Sequence, residues 1–173
     1  MDFLSHLFIP LTAAYVLRPD WFRRWWHFGA AGFGLVADAD KFLGMPGLFH
    51  SLLTLGPLCC AVVGGEYLLR REVNWSLLVV ALVLSHLVLD VVDGGPVPLL
   101  YPLVETGIGL EYPVRTVFGE GLLGLRFEGA LVQLRTTAPR PGFNQYGFIQ
   151  GAGVASALLF VTILVGNRTE RTG

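Results

Sequence analysis

The sequence predicts an all-α polytopic membrane protein with about five membrane helices, and three observations predict it. Only 14% of the 173 residues are charged and 53% are hydrophobic, whereas soluble domains run about 25% charged. The mean hydropathy is +0.60. Long runs also lack Asp, Glu, Lys and Arg. Of these, Phe42–Gly65, Val73–Leu89 and Pro141–Asn167 each reach or exceed the about 17–25 residues of a membrane span. This balance argues against a soluble globular enzyme. It argues more strongly against a disordered or nucleic-acid-binding chain, because the net charge is −1 and no basic cluster could neutralise several phosphates. A single membrane domain over residues 1–173 is expected.

Five membrane segments follow in order, at about 3–17, 25–44, 50–69, 74–92 and 147–166. The first two are the shortest, because Phe3–Leu17 and Trp25–Ala37 are bounded by charges. Trp21, Phe22, Trp25 and Trp26 supply an interfacial aromatic belt that extends the second backwards. The first run lacks a basic leader region and is read as mature protein. Cys59 and Cys60 are adjacent, which excludes both a disulfide framework and a zinc pair at the usual spacing. Gly94-Gly95-Pro96-Val97-Pro98 breaks the fourth helix and opens a long extracytoplasmic loop over about 94–146. Within it, the apolar runs Pro113–Phe118, Leu122–Phe127 and Ala130–Arg135 suggest a small β-hairpin or meander. Pro139-Arg140-Pro141-Gly142 closes the loop.

Arginines orient the segments. Alternation puts Arg18, Arg23, Arg24, Arg70, Arg71, Arg168 and Arg171 on one side, in short connections or the tail. Lys41 and the loop residues Arg115, Arg126, Arg135 and Arg140 fall on the other. Short loops carry the signal, so the first side is cytoplasmic, with the N-terminus outside and the C-terminus inside the cell membrane. The glycosylation-like triplets at Asn74 and Asn167 then fall on the cytoplasmic side and are discounted.

This topology brings polar residues to one depth. His6 opens segment one from outside, and Asp38 and Asp40 end segment two there. His50 opens segment three, and segment four runs outward through His86 to Asp90 and Asp93. Ionisable groups at membrane depth are costly and mark sites. His86 and Asp90, one helical turn apart, share a face. Asp38 and Asp40 would diverge by about 200° on an α-helix, so both can serve one site only if the segment unwinds there. Such a set suits zinc, with manganese or ferrous iron as alternatives. Plainer roles stand beside it. His6 can be a packed group, His86 and Asp90 a helix–helix hydrogen bond, Asp38 or Asp40 a turn cap, and Asp93 a turn residue with Gly94. His27 reads as interfacial, and Glu66 as an ion pair with Arg70.

The segments Asp2-Phe3-Leu4-Ser5-His6, Ala37-Asp38-Ala39-Asp40, Phe49-His50-Ser51-Leu52-Leu53 and Ser85-His86-Leu87-Val88-Leu89-Asp90, with Pro98-Leu99-Leu100-Tyr101-Pro102 after them, resemble the LexA-regulated, membrane-bound metal-dependent hydrolase family. The likeness covers roughly the first 103 residues, in the family's order. Ala37 replaces the family's proline, Met45 and Pro46 replace a histidine and an arginine, and Phe49 replaces a threonine. The ligand order is also similar to part of the zinc-dependent phospholipase C pattern, which implies His6, Asp38 or Asp40, His50, His86 and Asp90 as ligands.

The expected function is a membrane-embedded metal-dependent hydrolase acting on a phosphoester, lipid-linked phosphoesters included, at the outer face. His6, Asp38, Asp40, His50, His86 and Asp90 are the candidate ligands, and Asp40 and Asp93 the candidate bases. Lys41 or Arg115 would neutralise the substrate. The expected partners are membrane lipid and a phosphorylated lipid, without nucleic acid. An alternative is a non-catalytic protein whose metal site staples the bundle, and a third is an ion or proton carrier.

Overall fold

The computed structural model describes residues 2–45, 47–119, 122–137 and 149–170. Asp2 is the N-cap of helix α1 (Phe3–Leu17) and accepts a hydrogen bond from Ser5 N at 3.0 Å. This satisfies one of the amides that a helix start leaves bare. A short 3₁₀ turn, Pro19–Phe22, then folds Phe22 back against Tyr15.

The stretch Trp25–Asp38 is wound as a 3₁₀ helix, followed by a single α turn, α2 (Ala39–Phe42). The expected membrane segment over 25–44 is thus 3₁₀ over most of its length. The spacing of small residues supplies a physical reason. A 3₁₀ helix repeats every three residues, and its buried positions are Ala31, Gly34 and Ala37, with buried Asp40 next in the series. Its 14 residues, at about 2.0 Å each, extend about 28 Å.

Ser51 caps α3 (Leu52–Arg70) by accepting from Leu53 N at 3.1 Å, and its hydroxyl donates to Tyr101 O at 2.6 Å. Helices α4 (Asn74–Val92) and α5 (Gly151–Glu170) complete the set. Among the described residues, Leu52–Arg70, Asn74–Val92 and Gly151–Arg168 are long and apolar enough to cross a membrane, and α1 is a shorter apolar helix. α1 packs on α5, on the 3₁₀ helix and on α4, while α3 packs on α4. One core cluster joins Leu11, Tyr15, Ala31, Leu78, Leu82 and Phe160; a second joins Ala37, Leu55, Val83, Leu87 and Val97.

The end of α4 is fixed by two backbone bonds, Gly95 N to Asp90 O at 3.2 Å and Gly94 N to Val91 O at 3.3 Å. Gly94 has φ +89°. This left-handed C-terminal cap is one glycine adopts without steric cost, and it closes the helix on the carbonyl of Asp90.

The loop beyond carries β1 (Thr106–Leu110), β2 (Val114–Phe118), β3 (Leu122–Phe127) and β4 (Val132–Thr136). β2 pairs with β3, and β1 with β4, both antiparallel. Bonds from Glu111 N to Leu131 O and from Glu128 N to Pro113 O, each 2.8 Å, link the two ladders. The result is one nested ribbon, so the hairpin expectation describes it and the meander does not. Strand β1 escapes a pattern reading because two of its five residues are glycines. They are needed for contact: a Cβ on Gly109 would lie 2.6 Å from Gly95 O. Pro46, the loop closure Pro139-Arg140-Pro141-Gly142 and positions 147 and 148 of the expected last segment lie outside the described residues.

Candidate metal centre

Four separate pieces of chain deliver side chains to one point. His6 comes from the first turns of α1, Asp38 from the end of the 3₁₀ helix, His50 from a short turn before α3, and His86 and Asp90 from successive turns of α4. His6 Nε2 lies 3.1 Å from Asp90 Oδ1, while His50 Nε2 and His86 Nε2 lie 3.2 and 3.4 Å from Asp90 Oδ2. Asp38 Oδ1 stands 3.3 Å from His86 Nε2 and 3.6 Å from His50 Nε2, and it also pairs with Lys41 Nζ. The His6 and His86 rings are 4.0 Å apart.

The other ring nitrogens point away from this centre, each onto an acceptor. His6 Nδ1 meets Asp2 O at 3.0 Å, His86 Nδ1 meets Gly34 O at 2.6 Å, and His50 Nδ1 meets Asp40 Oδ2 at 3.1 Å. A carbonyl or carboxylate oxygen can only accept, so these contacts place a proton on Nδ1 of each ring. In the neutral imidazole the Nε2 lone pair then faces inward. Three lone pairs thus confront two carboxylates, an arrangement of acceptors facing acceptors that a cation or added protons must resolve. His86 Nε2 is buried without a hydrogen-bond partner. Outward-bonded histidines with inward lone pairs are how proteins present imidazole to a metal.

The spacing fits as well. Two atoms each about 2.0–2.1 Å from a zinc ion, at a tetrahedral angle, lie about 3.4 Å apart. Among the described residues, His6, His86 and Asp90 bring potential ligand atoms within 4.8 Å of one another, and so do Asp38, His50 and His86. The two groups share His86. The donor set of imidazole and carboxylate therefore fits zinc or a similar first-row divalent ion.

Asp40 Oδ2 accepts from Gly47 N and Phe49 N, each at 2.9 Å, as well as facing His50 Nδ1, and Asp40 is wholly buried. It holds the turn that carries His50 and orients that ring from behind, while its Oδ1 is buried without a hydrogen-bond partner. Asp93 is the exposed C-cap of α4, its N–H bonded to Leu89 O at 2.8 Å, and neither group of potential ligands includes it. The carboxylate of Glu66 receives Ser76 N at 2.6 Å and Trp75 N at 3.4 Å, capping α4 from the neighbouring helix. Arg70 adds an electrostatic attraction to the same carboxylate. His27 packs between Trp26 and Trp75, beside the N-terminal end of α4. Sequence reasoning misses Asp2 and Gly34, whose contribution to the centre is a backbone carbonyl that no side-chain motif signals.

Apolar helices long enough to span, joined by a His/Asp cluster at one end, define a helical membrane protein with a candidate metal centre. The chain belongs to the YdjM inner membrane protein family, which matches residues 1–169. No curated protein and no solved structure matches it. Membership places the chain among inner membrane proteins, in agreement with the membrane side of the motif resemblance.

Proposed function

We propose that this chain is a multi-pass, metal-dependent hydrolase that acts on a phosphoester, lipid-linked in nature, at the outer face of the membrane, with its N-terminus outside. The observation that supports the reading is the convergence of three outward-anchored imidazoles and two carboxylates around the unpartnered His86 Nε2. His6, Asp38, His50, His86 and Asp90 would hold the ion. A bound divalent cation, zinc foremost, lowers the pKa of water to about 7 and so supplies hydroxide at neutral pH. The chain's own residues do the rest. Asp2 O, Gly34 O and Asp40 fix the three rings, and Lys41 beside Asp38 offers positive charge to a phosphoryl group. Asp38 and Asp90 keep 22% and 19% of their side-chain surface open, so approach is from their side.

Elemental mass spectrometry of the detergent-purified protein, with and without His86→Ala and Asp90→Ala, tests the centre, and a phosphoester screen tests the activity. Near-stoichiometric metal in the wild type, absent from the variant, with hydrolysis lost in parallel, is the expected result. No metal in either folded sample would overturn it.

A second reading is a structural ion that staples the bundle, favoured by the burial of His86, only 1% of whose side chain is open. It predicts a metal-loaded protein without hydrolysis, whose melting temperature collapses in His86→Ala. The hydrolase reading predicts a folded, inactive variant. A carrier is disfavoured, because Glu66, the main ionisable group deeper in the segments, is engaged in capping α4.

A further inference from the structure

The β ribbon presents two chemically different faces. In the β2–β3 register, Val114 lies opposite Phe127 and Thr116 opposite Leu125, while Arg115 lies opposite Arg126 and Val117 opposite Gly124. Strand alternation puts the first two pairs on one face and the last two on the other. Phe118, Leu125 and Phe127 are 72%, 63% and 71% exposed. An isolated two-stranded hairpin is at best marginally stable in water, and large exposed apolar patches mark contact surfaces. On the opposite face, directly paired arginines have Cβ atoms about 4.5–5.5 Å apart and repel unless an anion lies between them. Glu128 pairs with Arg126, Nε to Oε1 at 2.6 Å, and so answers one of the two charges.

The ribbon is also tied to the C-terminal end of α4, a helix long and apolar enough to cross a membrane. Tyr112 Oη donates to Val92 O at 2.8 Å, and the glycines of β1 pack on the Gly94–Pro96 turn that ends α4. Its root therefore stands where that helix leaves the hydrocarbon.

We propose that the β2–β3 half of the ribbon lies in the headgroup layer of the membrane that the helices cross. Val114, Leu125 and Phe127 face the acyl boundary, and Arg115 and Arg126 bind lipid phosphates. Basic amphipathic elements rest at this depth for the same reason, apolar side chains in the boundary and guanidinium groups reaching the phosphates. The surface is independent of the metal chemistry.

The test is spin-label accessibility in full-length protein reconstituted into vesicles, in a Cys59→Ser, Cys60→Ser background, with labels at Leu125→Cys or Val117→Cys. The label at 125 is expected to collide with oxygen in preference to a water-soluble nickel chelate, and the label at 117 to show the reverse. Vesicles containing phosphatidylglycerol should strengthen the contrast relative to pure phosphatidylcholine, and Arg115→Gln with Arg126→Gln should remove that difference. Free access of the nickel chelate to both labels would place the ribbon in water and overturn the proposal. Shielding of both labels from both reagents would mean that a second copy or another protein covers it, and would overturn it equally. A contrast indifferent to lipid charge would overturn the arginine assignment.

Discussion

His86 Nδ1 lies 2.6 Å from the carbonyl oxygen of Gly34, which binds the candidate metal centre to the stretch of chain wound as a long 3₁₀ helix. Gly34 also packs tightly on α1, since a Cβ there would lie 2.7 Å from His6 O. One small residue thus sets the separation of three elements that carry ligands. Gly34→Ala should destabilise the protein by about 1–3 kcal/mol, the usual range for overpacking, and reduce bound metal. Melting in detergent and elemental analysis of the same preparation check both.

Asp40→Ala should weaken metal binding by about 10–100-fold, the usual effect of removing a carboxylate that orients a ligating histidine. It also strands Gly47 N and Phe49 N, at about 1–3 kcal/mol for each buried amide left unpaired. Asp40→Asn keeps an acceptor and should lie between the variant and the wild type. Competition against a chelator of known affinity measures the series.

Asp2 gives a pH dependence whose sign is set by its surroundings. Burial pushes its carboxyl up, but the Ser5 hydroxyl, Ser5 N and Gln150 N all donate to it and together hold it below the ordinary 3.8. A carboxyl lowered in the folded state contributes stability at neutral pH and loses it as pH falls through the unfolded value towards the folded one. The wild type should therefore lose melting temperature below about pH 4 more steeply than Asp2→Asn, which should be less stable at pH 7.

Gly94→Ala should cost about 1–2 kcal/mol for the left-handed backbone alone. The added methyl group also meets Leu110 O at 2.9 Å, so β1 must shift. Thermal unfolding together with proteolysis of the ribbon reads both effects.

The proposed orientation predicts that Glu111→Cys, in the background lacking Cys59 and Cys60, reacts with an impermeant maleimide added outside intact cells. Labelling only after lysis would reverse the topology.

Much of the centre was legible because charge is expensive in an apolar chain. His6, Asp38, His50, His86 and Asp90 stood out against long uncharged runs, and the arginines alone assigned them to one depth. The His86–Asp90 spacing worked because α4 is a regular α-helix. The divergence read for Asp38 and Asp40 has its counterpart in the structure, where they face different ring nitrogens of His50, but the segment leading to them repeats every three residues rather than every 3.6. Ala31, Gly34, Ala37 and Asp40 carried that period in plain view, but three of the four are too small to register as a hydrophobic stripe. Strand β1 was hidden for a related reason: Gly107 and Gly109 are close-contact residues, and composition alone reads them as breaks.

A 3₁₀ helix is longer than an α-helix of the same residues. Were Trp25–Asp38 to relax into α-helical winding, its 14 residues would contract by about 7 Å, drawing Asp38 away from His50 and His86. The overwound segment therefore acts as a ruler for the bundle. The carboxylate meets the imidazoles only at one gauge of the backbone, and a deletion of a single residue within it would both shorten the ruler and turn its end by about a third of a revolution.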